Sequence, residues 1–191
     1  MPNPYVSNAA TYLLDTAFSL FILMVLLRFL LQVARADFYN PICQFLVKAT
    51  NPLLRPLRRV IPGMWGIDIA SIVLMIALQI LALWLVQLIG GRSMAPAGLF
   101  LLSISELLAL ALNTLLVTII IQAIISWTNP SAYNPLVSIL YSINDPVLRP
   151  IRRLLPDMGG IDFSPLLLLL LIQLMKMLVV APIRDTSFML G

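Results

Sequence analysis

NPLLRPLRRVIPGMWGID, residues 51–68, returns as DPVLRPIRRLLPDMGGID, residues 145–162. The two stretches align without a gap at an offset of 94. Pro52, Arg55, Pro56, Arg58, Arg59, Pro62, Gly66 and Asp68 stand against Pro146, Arg149, Pro150, Arg152, Arg153, Pro156, Gly160 and Asp162. Hydrophobicity alone does not select these residue types, so the match marks an internal duplication. The same offset carries outward to Asn40-Pro41 against Asn134-Pro135, and to Gln79 against Gln173.

Each copy lies between long apolar runs. These cover about residues 11–34, 67–89, 99–127 and 163–181. About 20 helical residues cross the roughly 30 Å hydrocarbon layer, so each run is long enough to span it. Barrel strands would alternate over about ten residues rather than run unbroken. Composition agrees: the 191 residues are 61% hydrophobic and 10% charged, and mean hydropathy is +1.01. A soluble chain of this length could not bury so much apolar surface. The first run has no Lys or Arg before Arg28, unlike a secretory signal, and is expected to be a retained helix.

The expected fold is all-α integral membrane. Four transmembrane helices come from two parallel helix–amphipathic loop–helix repeats, with short interfacial helices in the two basic loops. Residues 1–191 form a single membrane domain: repeat 1 at about 8–90, a linker at about 90–98 and repeat 2 at about 99–184. Arg35, Lys48, Arg55, Arg58, Arg59, Arg149, Arg152 and Arg153 lie in the repeat loops, against Arg92 and Arg184 on the other side. Positive charge is retained inside, so both loops are expected in the cytoplasm and both termini outside.

Within the loops, Asn40-Pro41, Asn51-Pro52, Asn134-Pro135 and Asp145-Pro146 each read as an N-cap followed by proline at the first helical position. Two short helices in series are therefore expected per loop, the second starting at Pro52 and at Pro146. In that second helix Arg55, Arg58 and Arg59 share one face, as do Arg149, Arg152 and Arg153. The opposite apolar face is expected to lie on lipid, with the arginines level with phosphate. Pro56 and Pro150 should kink or fray it. Asp68 and Asp162 are placed to cap the next span or to pair with loop arginines.

Ionisable groups inside a span are expensive in lipid and therefore informative. Arg28 lies about 9 Å from the cytoplasmic end of its run and is expected to snorkel to phosphate level. Its counterpart is Gln122. Asp15, Glu106 and Lys176 lie roughly 6–10 Å from the outer ends of their runs, and this shared depth predicts that Lys176 pairs with Asp15 or Glu106. Gln79 and Gln173, near mid-span, suit hydrogen bonds between helices.

The chain holds one cysteine, Cys43, and no histidine. That excludes an intramolecular disulfide, a histidine general base and a histidine-ligated metal or haem. With no Gly-rich phosphate loop or acid pair beside a nucleophile, no enzyme, metal or cofactor is expected. The expected partners are a bilayer with anionic headgroups and a membrane or cytoplasmic protein, without nucleic acid. A homo-oligomer is compatible with the sequence, and transport through four spans would need one.

Asn-Pro, a spacer, Pro-x-L-R-P-x-R-R and then Gly-x-Asp before an apolar helix resembles the YggT/YlmG family of small membrane proteins. Arg28, a dozen residues before Asn40-Pro41, matches that pattern, and Gln122 departs from it. The resemblance implies a multi-pass protein of the bacterial inner (plasma) membrane, where the charge asymmetry would make both termini periplasmic. It also implies a scaffold or assembly role in cell division or osmotic-stress physiology, and in plastids nucleoid organisation and cytochrome b6 maturation. The absence of histidine speaks against direct haem ligation here. The alternative expectation is an ion transport or channel component lined by the intramembrane polar residues.

Overall fold

An unbroken apolar segment can satisfy its backbone in lipid only as a helix or a closed barrel. In the computed structural model, which describes residues 4–63, 66–91, 93–128, 134–155 and 162–191, the four apolar runs are helices. Helix α1 spans Pro4–Val33, α3 Ile69–Ile89 and α4 Pro96–Thr128. The fourth is one continuous rod of α6 (Ser164–Met175), a π-helical turn (Lys176–Val180) and α7 (Ala181–Met189). All four are long and apolar enough to cross a membrane, and the chain is an all-α, multi-pass membrane protein. The fourth rod runs to Met189, past the expected end near Ala181. Pro182 has no N–H and its ring crowds the carbonyl four residues back. The helix widens just before it, and the Ala181 N–H reaches back to the Lys176 carbonyl, five residues away.

Between the spans lie α2 (Pro41–Val60) and α5 (Pro135–Leu154). The expected pair of short helices per loop is corrected to a single helix of 20 residues. Asn40 does cap α2, accepting from the Ile42 N–H, and Asn134 caps α5, accepting from the Val137 N–H. Asn51 and Asp145 do not cap. Pro52, Pro56, Pro146 and Pro150 lie inside the helices with exposed rings, so the lost backbone bonds fall on the outer side. On the inner side Cys43, Leu46, Thr50 and Leu54 form an unbroken buried stripe. Packing along that stripe holds the two expected segments in one rod.

Three apolar clusters form the core. The first joins α1, α2 and α3 through Ile22, Val25, Leu26, Leu54, Ala70, Leu74 and Met75. Another joins α4, α5 and α6 through Ile119, Leu148, Ile151, Leu168 and Ile172. Val25, Leu54 and Leu74 stand 94 residues before Ile119, Leu148 and Leu168. Between them, Leu31, Cys43, Leu46, Ile139 and Ile143 join α1 and α2 to α5. There Asn40 Nδ2 donates to the Pro135 carbonyl at 2.7 Å, so α2 and α5 meet at one end of the bundle. The apolar face expected on lipid is thus largely covered by protein. Leu54 and Leu148 are fully buried, and only Leu53, Val60 and Leu154 are outward.

At the opposite end α4 and α7 approach so closely that a Cβ on Gly98 would lie 2.6 Å from the Ser187 carbonyl oxygen. Backbone must move to admit any side chain there. Gly98→Val is expected to cost about 1–3 kcal/mol by overpacking, read as a lower unfolding temperature in micelles. An unchanged midpoint would contradict this contact.

A candidate functional site at the arginine-bearing helices

The sequence motif splits into inward and outward residues. Arg58 turns inward and grips Asp68 at the entry to α3: its Nε donates to Oδ1 at 3.3 Å and its Nη2 to Oδ2. Ser71 Oγ also donates to Asp68 Oδ2, and the Asp68 side chain is only 4% exposed. Burial pushes the Asp68 carboxyl upward. The hydrogen bonds from Arg58 and Ser71 outweigh that and hold it below the usual carboxylate range. Asp68 therefore pairs with a loop arginine and makes no side-chain cap to its helix.

The corresponding pair in the second half is Arg152 and Asp162, at 2.9 Å. It is open to solvent, with Asp162 44% exposed. Burial again acts upward on Asp162, and the bonds from Ser164 and Arg152 bring it below the ordinary value. Asp162 accepts the Ser164 N–H at 2.9 Å, satisfying an orphan donor of the first turn. Arg55, Arg59, Arg149 and Arg153 remain exposed, Arg149 with an i,i+4 partner in Asp145 at 3.2 Å. Gly66 adopts a left-handed φ of +80°, which suits glycine in that turn. Pro62 is exposed. Pro156 and Gly160 lie outside the described residues.

Arg28 does not snorkel. It is 5% exposed, and its Nη1 donates to Thr50 Oγ1 at 2.6 Å, Asn51 Oδ1 at 3.0 Å and the Val47 carbonyl at 3.5 Å. Depth alone suggested a reach to phosphate. The neighbouring α2 instead supplies polar partners within the protein, and this takes Asn51 away from capping. In the second half, Asn144 Nδ2 donates to Gln122 Oε1 at 2.7 Å, and Thr118 Oγ1 donates to Asn144 Oδ1 at 2.8 Å. Arg28 and Thr50 stand 94 residues before Gln122 and Asn144. The sequence reading missed Thr50, Thr118 and Asn144. For Thr50 and Asn144 the signal was a paired change of polar type at one offset, whereas Thr118, opposite Met24, carried none.

Around Arg28 a cleft of about 440 Å³ opens between α1, α2 and the turn before α3, reaching Arg58 and Asp68. A second cleft, about 350 Å³, lies among α1, α3 and α4, lined by Asp15, Ser19, Gln79, Glu106 and Asn113. The expected Lys176 pairing is corrected there. Glu106 pairs with Arg184 of α7, and Lys176 Nζ donates to Asn113 Oδ1 at 2.8 Å. Depth fixes height along a helix, not direction around it. Gln79 lines this cleft, whereas Gln173 is exposed and does not reach across to another helix among the described residues. No group of three or more potential metal ligands occurs among the described residues.

The family model described as CCB3/YggT matches residues 7–89 and again residues 101–183. The chain belongs to the CCB3/YggT family. An uncharacterized Pseudomonas aeruginosa protein is 46% identical over 92% of this chain and 90% of its own length. The uncharacterized protein YggT of Escherichia coli K12 is 42% identical over 96% of this chain and 95% of its own. A Vibrio alginolyticus relative is 38% identical over 87% of this chain and 90% of its own. No solved structure matches the chain. In this YggT-family protein both family-model matches contain one loop arginine paired with the aspartate before the next span and two further exposed arginines.

Proposed function

We propose that this non-enzymatic YggT-family membrane protein is a scaffold or assembly and envelope-maintenance factor. Its two basic helices present a docking surface at the cytoplasmic face of the inner membrane. The supporting observation is the division of labour in each motif: Arg58 and Arg152 are tied to Asp68 and Asp162, while Arg55, Arg59, Arg149 and Arg153 stay outward. On α2 the outward arginines lie among exposed Phe45, Leu53 and Val60, a mixture suited to headgroups and their upper acyl carbons. The parallel two-repeat architecture, in one membrane domain, is supported by the core and polar pairs at a constant offset. It puts both basic helices on the positive-inside side and both termini in the periplasm. Anionic lipid and a protein partner at that surface complete the reading. The cell-division and osmotic roles are those the family resemblance implies.

Each arginine near an anionic surface contributes about 1 kcal/mol. Replacing Arg55, Arg59, Arg149 and Arg153 with Gln should preserve insertion, since the Arg58–Asp68 and Arg152–Asp162 pairs remain. It should abolish both rescue of a strain lacking the gene after hypo-osmotic shock and lipid crosslinking from position 53. Full rescue with unchanged crosslinking would reject the proposal.

The cleft holding Asp15, Gln79 and Glu106 favours a second reading, an ion transport or channel component. Cation flux into liposomes that is lost in Asp15→Asn would support it, and tight liposomes would count against it.

A further inference from the structure

We propose that the cleft framed by Arg28 and Arg58 is a receptor for one phosphate group, carried by an anionic phospholipid headgroup or by a free phosphate. Its depth near the headgroup layer rests on the cytoplasmic orientation proposed above.

The argument begins with an imbalance of charge. Arg28 is almost wholly buried, yet its hydrogen-bond partners among the described residues are neutral: Thr50, Asn51 and a backbone carbonyl. A buried charge ordinarily has a partner of opposite sign. The carboxylate that shares the cleft, Asp68, hydrogen-bonds Arg58 and Ser71 instead. Two guanidiniums against one carboxylate leave the cleft net positive. All three Arg28 bonds leave from Nη1, so Nη2 and Nε keep N–H donors in the planar fork that matches phosphate oxygens. At about 440 Å³ the space is within the range of small-ligand sites. Phe38 and Val47 on its wall would face the apolar part of a glycerol ester.

The second half supplies an internal comparison. The positions of Arg28, Val47, Arg58 and Asp68 are occupied there by Gln122, Tyr141, Arg152 and Asp162. Among the described residues, the space they line is about 50 Å³. Gln122 is neutral and bonded to Asn144. Among the described residues, the open cleft and the uncompensated cation therefore occur together in one half and are both missing from the other. A purely structural role for this corner would not need either.

The test uses the full chain in neutral maltoside detergent, titrated with dihexanoyl-phosphatidylglycerol and, separately, with inorganic phosphate. Native mass spectrometry and thermal shift are the readouts. Wild type should bind one phosphatidylglycerol saturably. Val47→Tyr, which puts at this position the larger side chain that the second half carries as Tyr141 while sparing Arg28 and its bonds, should weaken binding at least tenfold with little change in its own melting temperature. Arg28→Gln should weaken it similarly. Phosphate that binds saturably and competes with lipid identifies the free anion as a source, and lipid-only binding identifies the headgroup; either supports the site. Absence of saturable binding of both ligands, or wild-type affinity in both variants, overturns it. Loss of the single bound lipid in the Arg55, Arg59, Arg149 and Arg153 variant would also overturn the cleft, placing the phosphate on the outer surface and leaving the scaffold proposal standing.

Discussion

Asp68→Ala should destabilise the protein by about 2–3 kcal/mol, whereas Asp162→Ala should cost about 1 kcal/mol. Removing one member of a buried pair strands the other, a loss of about 3–5 kcal/mol where both are buried. Arg58 is 36% exposed, so water partly rescues it and the expected cost is lower. Ser71, fully buried, also loses its acceptor. The Arg152–Asp162 pair is open on both sides; such pairs contribute about 0.2–1 kcal/mol, and here a backbone N–H of the first turn is lost with it. Unfolding in mixed micelles measures both, and equal effects would contradict the contrast in burial. The pH dependence has a definite sign. The folded Asp68 value lies below the unfolded one, so its contribution is complete above about pH 4 and is lost as pH falls through the folded value. Asp68→Asn should flatten acid unfolding in that window, and a variant as acid-sensitive as wild type would refute the assignment.

Arg28→Gln should be strongly destabilising alone, and Thr50→Asn added to it should recover much of the loss. The single change leaves Thr50 and Asn51 without the donor they now share; an unsatisfied buried polar group costs about 1–3 kcal/mol. The double change installs the Gln–Asn pair that the second half already uses. Contacting residues couple by about 0.5–3 kcal/mol, so a double-mutant cycle on unfolding free energies should show favourable coupling of at least about 1 kcal/mol. Strict additivity would mean that these positions are not equivalent in the two halves.

The caps at Asn40 and Asn134 were legible because a cap is local: an acceptor, a proline and the next few N–H groups suffice. Asn51-Pro52 carries the same local pattern and was misread, because Arg28 lies twenty-three positions away in sequence and claims the side chain. The spans were legible because lipid accepts few alternatives for an unbroken apolar run. The polar pairs within them were not. Hydropathy gives the height of Lys176 and Glu106 but not the azimuth, and the π turn shifts azimuth in a way that sequence periodicity does not announce.

That turn resolves a mismatch of spacing. Glu106 and Asn113 are seven residues apart on α4, which brings them back to the same side of an α-helix within about 20°. Their partners Arg184 and Lys176 are eight apart, and in an uninterrupted α-helix would diverge by about 80°. One residue taken up by the widened turn makes the effective interval seven. The two antiparallel rods then keep step, octad against heptad, with both polar pairs formed. The span has absorbed an extra residue without changing the face it shows its neighbour, so its chain length and its facing are independent quantities.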